Sequence, residues 1–317
     1  MNRSHLKGSL LLILTALIWG SAFVAQSVST DFIGTFTFNF LRSVLAAIVL
    51  LPVIYISDKI KARDNKAKGV AVSASDRAKS NKTLIIAGMI CGVILFFAMA
   101  FQQEGLKYTA AGKAAFITTL YIIFVPLISI FIGKKPGISV CVGVCAATLG
   151  TYLLCVGESF AIGLGDLLVF CCALCYSAHI LVVDRFVARI DGVKLSFVQF
   201  MTVAVLSLVP MFCFETPDFT AISNAWLPVA YTGIMSSGVA YTLQIVAQKY
   251  TPVSVAPLIM SLESVFAAVF GALMLHERLS DREIVGCVLI FLAVILAQTT
   301  FTDNLVKRIF GRSKAKF

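Results

Sequence analysis

The sequence predicts an all-α integral membrane protein: ten transmembrane helices in two inverted five-helix repeats, with both termini cytoplasmic. Three observations predict it. First, 59% of the 317 residues are hydrophobic and only 13% are charged, where soluble chains carry about 25% charged residues; mean hydropathy is +0.94. Second, the apolar residues fall in runs of about 20, the length that crosses a hydrocarbon core about 30 Å thick. Third, paired segments recur in the same order in the two halves of the chain.

The spans are expected near 8–28, 34–56, 83–103, 110–132, 138–156, 165–184, 195–214, 226–247, 252–274 and 282–300. The runs are continuous rather than alternating, which favours helices over a barrel. The first run is too long for the apolar region of a signal peptide and lacks a clean small-x-small cleavage site, so it is expected to be retained.

The repeat is legible pair by pair. Gly8-Ser9-Leu10-Leu11 matches Gly165-Asp166-Leu167-Leu168, and Trp19 then falls opposite Tyr176. Asn39 and Phe40 fall opposite Gln199 and Phe200. Gln102 falls opposite Gln244, each followed by the triplet Lys107-Tyr108-Thr109 or Lys249-Tyr250-Thr251. Ala114, Tyr121 and Phe124 fall opposite Ala256, Glu263 and Phe266, and Gly143 falls opposite Gly286. Five spans is an odd number, so the second half enters the bilayer reversed. Inverted repeats are how many carriers build two access states. The organisation read from this is one membrane domain, 1–317. Its first repeat is 8–156 with a hydrophilic cytoplasmic linker at 57–82, its second is 165–300, and 301–317 is a basic tail.

The formal net charge of +10 does not point to nucleic acid, because of where the charges sit. With the N-terminus inside, cytoplasmic segments collect 21 of the 26 Lys and Arg. That is the positive-inside bias. The basic tail is expected to touch anionic lipid headgroups. All nine Cys lie in or beside spans. Cys171, Cys175 and His179 recur every four residues on one face, but no fourth ligand is near, and a buried free Cys behaves as a small hydrophobe. No metal and no cofactor is expected.

Glu263 is the first candidate for mechanism. It sits mid-span with apolar neighbours, where an ionisable group is costly and usually faces a cavity or a partner. The functional reading is proton or substrate coupling; the bland one is a hydrogen-bonded packing residue beside Ser261 and Ser264. Its repeat mate is Tyr121, and a carboxyl–phenol pair across a cavity is expected. Arg42 lies inside span 2 and carries a fork suited to a carboxylate. Lys113 lies near the outer end of span 4. Either could bind an anionic group or neutralise Glu263, although snorkelling to the interface is the simpler account of Lys113. Trp19 and Tyr176, each followed by small residues, could stack on a flat substrate or simply allow close helix approach. Gln102 and Gln244 could bond cargo or a neighbouring helix. Span 8, with Tyr231, Ser236, Tyr241 and Gln244, is expected to wall a pathway. A lone His179 is more often a packing residue. Asp166 and Glu277 read as helix-start residues. Pro126, Pro210 and Pro257 can kink their helices.

Several of these segments together resemble a known family. Trp19-Gly20-Ser21-Ala22-Phe23, Gln244 through Thr251, Ser261-Leu262-Glu263 with Phe266-Ala267-Ala268, and His276-Glu277-Arg278-Leu279-Ser280 followed by Gly286 resemble the ordered motifs of EamA-type carriers of the drug/metabolite transporter (DMT) superfamily. The resemblance covers about residues 8–300. Ser264 stands where the family often has Pro, and His276 where Gly is common. The resemblance implies ten helices around a central cavity and carriage of small metabolites without ATP hydrolysis; it names no cargo.

The expected function is therefore a secondary transporter in the cell membrane, moving a small organic metabolite by alternating access, with proton coupling as an option. The alternatives are an intramembrane enzyme acting on a lipid or lipid-linked substrate, and a channel. The three His residues, at 5, 179 and 276, are widely spread, and the spans hold no clustered carboxylates, which argues against the enzyme. A channel needs a more polar pore. The expected partners are a small-molecule substrate, protons if transport is coupled, and the lipid bilayer. No feature specifies cargo, direction or oligomeric state.

Overall fold

A computed structural model describes residues 3–67, 74–109, 111–134, 136–155, 162–275 and 279–298. Every regular element among the described residues is helical. The order is α1 (Arg3–Ser29), α2 (Thr35–Ala67), α3 (Ala74–Gly105), α4 (Ala111–Thr119), α5 (Tyr121–Phe131), α6 (Ile138–Cys155), α7 (Leu164–Phe186), α8 (Gly192–Phe214), α9 (Phe219–Asn224) and α10 (Trp226–Tyr231). A π-helix (Thr232–Ala240) follows, then α11 (Tyr241–Gln248), α12 (Ala256–Met260), α13 (Leu262–Leu275) and α14 (Asp281–Gln298).

Eight helical segments among the described residues are long and apolar enough to cross a membrane. Two further helical segments fall outside that group. Trp226–Gln248 is divided by the π-helix, and α14 opens on Asp281, Arg282 and Glu283. Leu10, Phe97, Leu127, Val209, Leu273 and Phe291 are among many large apolar side chains that point outward. In water that surface would be a liability, whereas lipid solvates it. The stretch expected as a linker at 57–82 is helical at both ends, because α2 continues to Ala67 and α3 begins at Ala74. Lys and Ala are good helix formers, and a helix already nucleated by an apolar span extends at little cost.

Local chemistry sets several helix ends. Glu215, at the end of α8, reaches the start of α2 and accepts from the N–H groups of Phe36 and Thr37 at 2.8 Å each. It thereby satisfies donors that a helix N-terminus leaves open. Asp191 caps α8 by accepting from Val193 and Lys194 N–H. Ser280 and Glu283 bond reciprocally at the start of α14, a capping box. After α5, Gly133 takes φ +81°, Lys134 N–H bonds to Ser129 O and Gly133 N–H to Ile130 O. This is the glycine-closed helix end that a side chain would strain.

Helices α2 and α8 run antiparallel. Lys194–Asp58 and Lys61–Asp191 pair at one end, and Glu215 meets Phe36 and Thr37 at the other. Small residues permit the closest crossings. A Cβ on Gly20 of α1 would lie 2.6 Å from Glu263 O and 2.8 Å from Ala267 N of α13. One on Gly150 of α6 would lie 2.8 Å from Gly286 O of α14. Without a hydrophobic drive between helices in lipid, such backbone approach supplies much of the packing.

Two apolar segments are interrupted, one near mid-length and one about a third of the way along. Leu120 separates α4 from α5, and Ser261 separates α12 from α13. At both points i→i+3 bonds intrude, Ile123 N–H to Leu120 O and Ser264 N–H to Ser261 O. These single tightened turns place Tyr121 and Glu263 at the start of a new helix.

Candidate functional site

The central cavity lies between α1, α2, α3, α7, the π-helix, α11 and both interrupted segments, and its volume is about 30 Å³, room for one or two waters. Eight of the ten residues singled out from the sequence line it: Trp19, Arg42, Gln102, Tyr121, Tyr176, Tyr241, Gln244 and Glu263. Phe23, Gln26, Thr118, Ile180, Ser236 and Met260 complete the wall.

The acidic pole is Glu263, 3% exposed. Tyr121 OH donates to its Oε1 at 2.8 Å, so the residues after the two interruptions meet directly. Glu263 stands in the first turn of α13, where the helix end favours a negative charge. Beside it, Thr119 and Ser264 hydroxyls lie 3.2 Å apart, tying the two segments together.

The basic pole is Arg42, 2% exposed. Its Nη1 donates to Gln26 Oε1 at 2.9 Å, and its guanidinium lies 5.3 Å from the Phe38 ring centroid. Gln26 is itself fixed: Gln103 Nε2 and Ser29 Oγ donate to its carbonyl at 3.1 and 2.7 Å.

A phenol–amide relay forms the rest of the wall. Tyr241 OH donates to Tyr176 OH at 2.9 Å, Tyr176 OH to Gln102 Oε1 at 3.2 Å, and Gln102 Nε2 to Thr118 Oγ1 at 3.4 Å. Gln244 Nε2 reaches Gln248 Oε1 at 3.3 Å. The Trp19 and Tyr241 rings meet edge to face with centroids 4.7 Å apart, a favourable aromatic geometry. Trp19 Nε1 donates to Ser236 O at 3.3 Å. The π-helix frees such carbonyls, and π segments are frequent at functional sites.

Two candidates lie elsewhere. Lys113 pairs with Asp166 at 2.6 Å, so it neutralises that carboxylate rather than Glu263. Asp166 also accepts from Thr109 Oγ1 and from Gly163 N–H at the start of α7. His179 is buried with Nε2 3.0 Å from Gln199 Oε1, and its ring packs edge to face behind the wall residue Tyr241, centroids 6.2 Å apart. Neither Cys171 nor Cys175 is shared with it in a metal site, and the described residues hold no group of three or more potential ligands. His276, Glu277 and Arg278, and the basic tail, lie outside the described residues.

Sequence reasoning passed over Gln26, Phe23 and Thr118, whereas Ser236 lies in the span expected to wall the pathway. The signal for the first two was present. Trp19, Phe23 and Gln26 are spaced i, i+4, i+7, one helical face.

Comparison with known proteins identifies the family. The sequence model of the EamA-like transporter family matches residues 6–156 and again 163–299. The chain belongs to the EamA-like transporter family. Membership in the drug/metabolite transporter superfamily follows. An uncharacterized transporter of Archaeoglobus fulgidus is 33% identical over 289 residues, covering 90% of this chain and 83% of the relative. The uncharacterized transporter YoaV of Bacillus subtilis is 24% identical over 301 residues, covering 93% and 98%. A solved crystal structure, 19% identical, superposes with a TM-score of 0.73 over 96% of this chain and 98% of that one, which is a likeness of fold.

Proposed function

We propose that this chain is a secondary carrier that moves a small organic metabolite by alternating access around the central cavity. The observation that carries the reading is one cavity holding a buried carboxyl and a buried guanidinium, framed by two interrupted helices. Discontinuous helices meeting at mid-membrane are how inverted-repeat carriers build their binding sites.

The ten-span, inverted-repeat topology belongs to the same proposal. The family match falls twice, once in each half. Packing supports it too. Helix α1 packs on α12 and α13, while α7 packs on α4 and α5; α2 packs on the π-helix, while α8 packs on α3. Exchanging the halves turns the first member of each pair into the second. Helices α2 with α8, and α6 with α14, pack repeat mate on repeat mate. The proposed orientation places both termini, and the ion pairs Lys61–Asp191 and Lys134–Asp184, on the cytoplasmic face of the cell membrane, as the positive-inside bias requires.

Glu263 is the proposed coupling group, with protons as its partner. Trp19, Tyr121, Tyr176, Tyr241, Gln102 and Gln244 are proposed to contact cargo. The test is flux into proteoliposomes of the purified chain, with and without an imposed pH gradient, using a metabolite panel. Flux that saturates, and that the gradient drives, supports the reading. Flux at ion-channel rates, or turnover of a lipid, would replace it.

A further inference from the structure

We infer that Arg42 is the anion-binding subsite of the cavity and that the cargo is an organic carboxylate with a flat or apolar body. The inference rests on the carrier reading above and adds the chemical class of the cargo.

The argument is one of unbalanced charge. Arg42 is among the largest fully buried side chains. Its neighbours are the Gln26 amide, the Phe38 ring and the phenols of Tyr176 and Tyr241. Among the described residues it takes part in no ion pair. Its Nε is buried and has no hydrogen-bond partner. Glu263 lines the same cavity but is engaged by Tyr121. A buried charge without a partner is strongly unfavourable, and an unsatisfied buried donor adds to the cost. An incoming carboxylate removes both penalties, because it accepts two parallel N–H bonds from a guanidinium edge.

Gln26 is the positioning residue. It occupies Nη1 and holds the fork, while its own backbone is tied by Gln103 and Ser29. Nε is left without a partner, and Tyr176 lies beside the guanidinium, so a carboxylate would bind at Nε with the phenol next to it. Trp19 and Tyr241, with Phe23 and Met260 in the same wall, offer an apolar surface for the body of the cargo. A lysine could supply charge at this place but not the two-point geometry.

The experiment uses the full chain with Trp226→Phe. The chain has two Trp, and the change leaves Trp19, in the cavity wall, as the reporter. Its fluorescence is titrated with benzoate, benzamide and benzylamine, three probes that share a ring and differ in head group. Benzoate is expected to give a saturable change, with benzamide and benzylamine at least about tenfold weaker, the scale of one lost charge-assisted bond. Arg42→Gln is expected to raise the benzoate Kd at least about tenfold, and Arg42→Lys to restore part of the loss. The head-group series on the unaltered cavity decides the matter even where an Arg42 variant does not fold. Equal or tighter binding of benzamide or benzylamine, or no response to benzoate, overturns the inference. Gradient-driven flux of a neutral or cationic cargo alongside that result would leave the carrier reading standing and remove only the anion subsite.

Discussion

The segment Ala111–Phe131 and the segment Ala256–Leu275 are built alike and armed differently. Each is interrupted by one tightened turn, at Leu120 and at Ser261, and each sends the residue beyond that turn into the same cavity. One residue is a phenol and the other a carboxyl. The scaffold is matched while the chemistry is not, and the coupling role proposed for Glu263 would therefore fall on one side of the cavity only. A symmetric pair of carboxyls so close would repel, and a symmetric pair of phenols would carry no coupling group. The hydrogen bond between Tyr121 and Glu263 is the form the compromise takes.

The largest effect should come from the armed side. Glu263→Gln keeps the shape and a hydrogen-bonding group, and it should abolish pH-gradient-driven flux while leaving insertion intact. Unchanged pH dependence in proteoliposomes would assign Glu263 to packing. The unarmed side should matter less. Tyr121→Phe removes a bond to a carboxyl, an interaction worth about 1.5 kcal/mol or more, and flux should fall by about tenfold with gradient dependence retained. If Tyr121→Phe equalled Glu263→Gln, the two residues would act as one unit and the contrast drawn here would fail.

Packing behind Glu263 supplies a third test. A Cβ on Gly20 would press on the α13 backbone at Glu263 and Ala267, so Gly20→Ala should lower thermal stability by about 1–3 kcal/mol, as overpacking does. Gly271, on the same helix, has no atom within 4 Å of such a Cβ. Gly271→Ala should therefore be neutral or stabilising by up to about 1 kcal/mol. Equal melting shifts for both would show that α1 and α13 do not meet at Gly20.

The smallest effect lies at the end of the bundle, far from the cavity. Partial burial of Asp191 works to raise its pKa, but Lys61 and the N–H groups of Lys194 and Val193 outweigh it and hold the carboxyl below its ordinary value. Because the folded value is depressed, the stabilisation is present above the unfolded value, about 3.9. It is lost as pH falls through the folded value. Lys61 is more than half exposed, so the pair should contribute no more than about 1 kcal/mol. Asp191→Asn should lower the melting temperature slightly at neutral pH and flatten its dependence on acidification.

Parts of the site were legible in the sequence because lipid makes polarity conspicuous. Glu263 and Arg42 stand out in apolar runs, since a charge there is too costly to be idle. The same reasoning also raised Lys113, which pairs with Asp166, and His179, which bonds to Gln199, with a structural account as the simpler one for each. It passed over Gln26, which, unlike Gln102 and Gln244, has no amide at its counterpart position, Val183, in the second half. Only the approach of α2 to α1 makes that amide the clamp on Arg42. The interruption at Leu120 was equally hidden, since neither Gly nor Pro marks it.

By itself the sequence determined that this chain is helical, suited to a membrane and a member of the EamA-like transporter family. Span length, hydropathy and ordered motifs are local properties, and they survive without knowledge of packing. Tertiary structure decided which polar groups meet. Tyr121 and Glu263 are 142 positions apart, and Gln26 and Arg42 lie on different helices. A hydrogen bond depends on tenths of an ångström and on direction, and helix crossing sets both.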